Sequence, residues 1–132
     1  MKALGLDLGT TSLSAVVLET DSGVLAAKTV QNAAFLPGER WERTQNAEEI
    51  YAAALPLVQE LVCEHPEICA IGVTGQMHGI VYLDTDGRCL SPLYTWQDER
   101  AALPFNETES CALVCRHRLS GGAGLRAGNT LL

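Results

Sequence analysis

Three short stretches carry side chains whose types and spacing could do chemistry. Asp7-Leu8-Gly9-Thr10-Thr11 sets a carboxylate two residues before a glycine and two hydroxyls. Glycine lets backbone N–H groups approach a phosphate closely, and the hydroxyls add donors at the same turn. A carboxylate beside phosphate needs a cation between them, so Asp7 is a candidate ligand of hydrated Mg²⁺ and Gly9, Thr10 and Thr11 are candidates for phosphate. Thr74-Gly75-Gln76-Met77-His78-Gly79 combines the amide of Gln76, the imidazole of His78 and the adaptable apolar wall of Met77. A polyol or sugar requires that mixture of directional polar groups and apolar surface. In Tyr94-Thr95-Trp96-Gln97-Asp98-Glu99-Arg100, an indole could cover the C–H face of a sugar while Gln97 and Asp98 bond its hydroxyls. Each stretch also has a plain structural reading. The first could be a hairpin turn with Asp7 solvated, and the second a loop in which Gln76 and His78 satisfy nearby backbone. The third could be the start of an amphipathic helix with Asp98 and Glu99 in solvent and Arg100 paired at the surface.

The elements that must position these residues follow from periodicity. Residues 1–8 alternate Leu4, Leu6 and Leu8 with Gly5 and Asp7, as a half-buried strand does. Residues 13–19 predict a second strand, "TDSG" at 20–23 a turn, and residues 24–32 a third strand, which makes an antiparallel meander. A polar connection carrying Trp41 leads to Asn46, the expected cap of a helix with Glu48 and Glu49 in its first turn. Ile50, Ala54, Leu57 and Leu61 form one stripe of that helix, which should end near His65-Pro66 and kink rather than break at Pro56. "ICAIGVTG" reads as a buried strand, and residues 79–84 as another strand that turns at Thr85-Asp86-Gly87. Three strands, a helix and a buried strand are the order of an α/β domain with a mixed sheet.

Composition excludes several classes of partner. A chain of 132 residues suits one compact domain, and 47% hydrophobic with 19% charged residues indicates a globular one. The formal charge of −7 argues against nucleic acid and anionic membrane as partners, since both reward basic patches. No segment approaches the roughly 20 apolar residues of a membrane span. Five cysteines, Cys63, Cys69, Cys89, Cys111 and Cys115, lack the paired spacing of a zinc site and fit a reducing, cytoplasmic setting.

Taken together, the Asp-x-Gly-Thr-Thr turn, "TGQMHGIVYLD" and "PLYTWQD" resemble, in order and spacing, the N-terminal part of the FGGY carbohydrate kinases of the actin- and hexokinase-like superfamily. Within that family the sedoheptulokinase-like branch is most similar, with xylulokinase next. The resemblance spans about residues 2–105. It implies a ribonuclease-H-like first domain, use of ATP with Mg²⁺, and transfer of the γ-phosphoryl group to a ketose or polyol hydroxyl. Matched position by position, it implies Asp7 for the Mg²⁺-linked carboxylate and Gly9, Thr10 and Thr11 for the first phosphate loop. Gln76, Met77 and His78 match the sugar-pocket loop, and Trp96, Gln97 and Asp98 a second pocket wall.

The family's second domain and its catalytic aspartate are expected beyond residue 132, so the chain on its own reads as an incomplete, inactive portion of a kinase. Residues 106–132 depart from the pattern. All sixteen acids precede position 111, whereas the stretch after it holds Arg116, Arg118 and Arg126 and no acid. The expectation is a truncated or frame-altered product with a divergent tail, in which Cys111, Cys115 and His117 are too few for a metal site. Two other readings stand beside the kinase: a non-catalytic sugar-sensing fragment, and an actin-like fragment completed by a partner chain. An uncovered sheet surface would favour self-association.

Overall fold

A computed structural model describes residues 1–104 of the chain. In chain order the elements are β1 (Lys2–Leu8), β2 (Ser12–Glu19), β3 (Gly23–Gln31), β4 (Thr44–Gln45), α1 (Ala47–Glu64), β5 (Ile68–Gly75) and β6 (Leu93–Tyr94), followed by a 3-10 turn at Arg100–Ala102. They sort into two compact units.

The first unit comprises Met1–Ala34 and Ala47–Gln76. Its sheet has the order β3-β2-β1-β5, with the first three strands antiparallel as the meander predicts and β5 parallel to β1. Leu4 faces Val17, Leu6 faces Ala15 and Leu8 faces Leu13 across the β1–β2 ladder, which gathers them on one face of the sheet. Leu4, Leu13, Ala15 and Val17 are buried, and so are the four predicted helix positions Ile50, Ala54, Leu57 and Leu61. The amphipathic stripe thus becomes the second layer of the core. α1 runs unbroken through Pro56 and ends one residue before His65. Its last turns are tied to β3 by Lys28 Nζ, which lies 2.6 Å from Glu60 and 2.9 Å from Glu64. The hydrogen bonds it donates to these two carboxylates hold the Lys28 ammonium above its usual pKa.

β5 occupies its predicted span but not its predicted environment. Ile71 and Val73, paired with Leu4 and Leu6 of β1, are 56% and 66% exposed. The apolar run read as a strand covered on both faces; α1 packs on β1, β2 and β3 instead, and among the described residues β5 is left open.

The second unit is discontinuous, with Phe35–Asn46 joined by residues from Met77 onward. Here β4 pairs with β6, Thr44 facing Tyr94 and Gln45 facing Leu93. The strand expected over residues 79–84 is corrected to isolated bridges, Ile80 to Tyr94 and Leu83 to Cys89. Pro92 has no N–H to donate to a ladder, and the Tyr82 N–H bonds the Ser91 hydroxyl at 3.0 Å instead. The turn that follows is where the sequence puts it. Asp84 Oδ1 accepts the N–H groups of Asp86 and Arg88 at 2.9 and 2.8 Å, and Gly87 takes φ +80°.

Candidate functional site

In the first unit, β1 delivers Asp7 to the mouth of the β1–β2 turn, opposite Ser14 on β2 and Thr74 on β5. Its side chain is exposed, and among the described residues no hydrogen bond or ion pair engages the carboxylate. Gly9 follows in a turn too tight for a side chain, since a Cβ there would lie 2.7 Å from the Ser12 carbonyl oxygen. The hairpin reading and the phosphate-loop reading of residues 7–11 are therefore compatible: the loop is a hairpin turn with an unengaged carboxylate beside it.

Asn32, which sequence reasoning missed, organises that turn. It is 3% exposed, its Nδ2 donates to the Gly9 carbonyl at 2.9 Å, and its N–H donates to the Thr11 carbonyl at the same distance. Its Oδ1 accepts the Ala34 N–H at 3.2 Å. The available signal was an asparagine closing the third strand of a meander, where the chain must pass the first turn again. Gln76 arrives from β5 on the same side. Its N–H donates to the Leu8 carbonyl at 3.0 Å, and the Thr10 hydroxyl donates to its Oε1 at 3.1 Å.

In the second unit, Met77 and His78 are exposed, and His78 holds φ +59°, the one non-glycine positive φ among the described residues. Such a conformation carries strain and is found disproportionately at ligand sites. Trp96 and Gln97 form the tip of a turn closed by the Asp98 N–H on the Thr95 carbonyl at 3.0 Å. Trp96 is partly exposed, and Gln97 lines an open cavity of about 380 Å³ with Phe35, Leu36, Gly38, Glu42 and Arg43.

Asp98 is neither solvated nor the start of a helix. It is 2% exposed, with Oδ1 accepting the N–H and Nε of Arg100 and Oδ2 accepting the Arg43 N–H and an Arg100 terminal nitrogen. Burial pushes its pKa up, but the Arg100 side chain and the two backbone N–H groups outweigh that and hold it below the usual carboxylate range. A depressed pKa contributes stability at every pH above the unfolded value of about 3.9, and loses it as pH falls through the lower folded value. The fluorescence of Trp41 and Trp96 is therefore expected to be flat from neutrality to about pH 4 and to change below it. Asp98→Asn should lack the part of that acid transition that belongs to this turn.

Among the described residues no group of three His, Cys, Asp or Glu is placed to hold a metal, and no helix is long and apolar enough to cross a membrane. Cys63, Cys69 and Cys89 are free thiols. Cys111, Cys115 and His117 lie outside the described residues.

Residues 2–131 match the FGGY family of carbohydrate kinases, N-terminal domain. The chain belongs to this family. The FGGY match continues past residue 105, through most of the segment whose composition sets it apart. Among FGGY relatives, the xylulose kinase of Escherichia coli K12 is 33% identical over 101 residues, covering 75% of this chain and 21% of that protein. The gluconokinase of Bacillus subtilis is 31% identical over 100 residues, covering 74% and 19%. Among solved structures, a xyloylose kinase from Brucella ovis superposes with TM-score 0.70 at 28% identity, over 76% of this chain and 22% of that one. The Plasmodium falciparum glycerol kinase crystallised with ADP gives TM-score 0.72 at 16% identity over 92% of this chain and 23% of that one, a likeness of fold. The architecture is thus the actin- and hexokinase-like α/β fold expected from the motifs. The chain spans about a fifth of the length of the curated relatives it matches.

Proposed function

We propose that this chain forms the first part of an ATP-dependent FGGY sugar kinase that transfers the γ-phosphoryl group to a ketose hydroxyl in the cytoplasm, with sedoheptulose and xylulose as the candidate substrates. The observation that carries this reading is the hydrogen bond from Thr10 to Gln76. It joins the turn proposed for phosphate to the first residue of the loop proposed for sugar, so both substrates are read by one hydrogen-bonded piece of sheet end. Ligands in open α/β sheets gather at the carboxyl ends of strands, where β1 and β5 terminate in parallel at Leu8 and Gly75.

In this reading the Gly9–Thr11 turn, Thr10 included, binds phosphate through backbone N–H groups, with the Thr11 hydroxyl as a further donor, while the Thr10 hydroxyl is spent on Gln76. Asp7 would hold a hydrated Mg²⁺. Its exposed and unengaged carboxylate fits, because this cation takes one or two carboxylates and keeps most of its waters or substrate phosphates. Bound there, the cation neutralises charge on the transferring phosphates. Gln76 and His78 orient sugar hydroxyls, and Met77 and Trp96 cover its apolar faces. Gln97 borders a cavity of about 380 Å³, within the size range of small-molecule pockets. The general base that deprotonates the attacking hydroxyl is expected outside residues 1–132.

The test is phosphorylation by the product of the longest reading frame that contains this sequence. With ATP and Mg²⁺, that product should phosphorylate sedoheptulose or xylulose in preference to gluconate and glycerol. Preference for either of the latter would overturn the ketose assignment, and no transfer to any of the four would overturn the kinase reading.

A further inference from the structure

We infer that Thr95, Asp98 and Arg100 are positioning residues that hold Trp96 and Gln97 as a preformed wall, with Asp98 acting through the Arg43 backbone and Arg100 rather than touching sugar. The sugar-facing role of that wall rests on the function proposed above.

The geometry is that of a staple. Both ends of the Thr95–Asp98 turn are fastened to one residue, Arg43. The Thr95 N–H and hydroxyl donate to the Arg43 carbonyl at 3.0 and 2.7 Å, and Asp98 Oδ2 accepts the Arg43 N–H at 2.9 Å. Thr95 and Asp98 are 4% and 2% exposed, whereas Trp96 between them is 38% exposed. Buried polar ends with an open tip are what a presented side chain requires.

Arg100 completes the fastening. Its Nε reaches Asp98 Oδ1 at 2.6 Å and a terminal nitrogen reaches Oδ2 at 2.9 Å, a bidentate fork. With the N–H groups of Arg43 and Arg100 included, four donors fill the acceptor positions of one carboxylate, which leaves none for a sugar hydroxyl. The guanidinium lies 4.2 Å from the Tyr94 ring centroid and 5.6 Å from that of Trp41, with Glu42 at 3.9 Å. Arginine, unlike lysine, can fork a carboxylate and stack on two rings at once. A wall held this way is ordered before the ligand arrives, so binding does not bear the cost of ordering two side chains.

The chain has two tryptophans, Trp41 and Trp96, so its two indole N–H resonances report both sides of the staple. The experiment compares ¹⁵N relaxation of these indoles and of the Gln97 side-chain amide in the parent chain, Asp98→Asn and Arg100→Lys. The lysine variant keeps the charge and loses the fork, so it serves where Asn disrupts folding; backbone resonances of β1–β3 show that the first unit is intact. Both variants are expected to render Trp96 and Gln97 mobile on the nanosecond timescale, with β1–β3 unmoved. A Trp96 that stays as rigid as in the parent overturns the inference.

Titration with D-xylulose separates this inference from the functional reading. If D-xylulose moves the Trp96 resonance, the variants should bind it about tenfold more weakly through the ordering cost alone. Weaker binding with a rigid Trp96 would make Asp98 a direct ligand and overturn the inference. No response of Trp96 to D-xylulose in the parent would count against Trp96 as a sugar wall, while loosening in the variants would still support the staple.

Discussion

Asp7→Asn, made in a kinase that contains this segment and its second domain, is expected to lower kcat about 10²–10³-fold, the usual cost of removing one preorganised electrostatic group. The substitution is nearly isosteric. Because the carboxylate has no protein partner among the described residues, no buried bond is broken, and the turn pinned by Asn32 should keep its shape. Sugar affinity depends on other residues, so KM for the sugar should stay within a few-fold. Steady-state kinetics at saturating ATP and Mg²⁺ check this, and an equal loss in kcat and sugar binding would make Asp7 a structural residue.

The isolated 132-residue chain should show no sugar-dependent release of ADP above background with Mg²⁺ and any of the four sugars. Phosphoryl transfer depends on positioning and charge stabilisation in a water-excluded site. The carboxylates within the candidate site are already committed in this reading: Asp98 is fully engaged by Arg43 and Arg100, and Asp7 sits at the phosphate turn. Absence of a base alone removes roughly 10²–10⁴-fold in rate, and the chain spans about a fifth of the length of its relatives. A coupled ADP assay decides the matter. Turnover that Asp98→Asn abolishes would assign the base to Asp98 and contradict both this expectation and the staple.

Local pattern was enough to read most of the first unit. Leucine alternation in β1, the four-residue stripe of α1 and the turn chemistry of 20–23 each act over a few residues, and each was found where periodicity put it. What could not be read depends on partners distant in sequence. The open face of Ile71 and Val73 reflects which strands α1 reaches, not the composition of β5. β4 is two residues long, shows no alternation, and exists because Leu93–Tyr94 comes back to it. Residues 79–84 carry strand-forming side chains, yet their pairing is divided by Pro92 on the opposite side.

The site shows the same division. The turn that carries Asp7, Gly9 and Thr10 was legible because a glycine after an alternating strand marks a tight turn. Gln76 was placed by the end of a strand. Asp98 was recognised as important from its neighbours in sequence, but its partner Arg43 is remote, and nothing local distinguishes a carboxylate that binds sugar from one that fastens a turn.

The second unit's split composition sets an order of events during synthesis. Thr44 and Gln45, both buried in the finished fold, leave the ribosome before α1 and β5 and must wait for Leu93–Tyr94 to be made. Through that interval Thr44 and Gln45 have only Phe35 and Leu36 beside them and the Arg43 backbone lacks Thr95 and Asp98, while the meander of the first unit has all three of its strands available. Chains fold from the N-terminus as they emerge. The nascent protein therefore acquires the framework of the Gly9–Thr11 turn before the turn that carries Trp96, and a pause in translation before residue 93 would leave the segment around Arg43 open to chaperones and proteases.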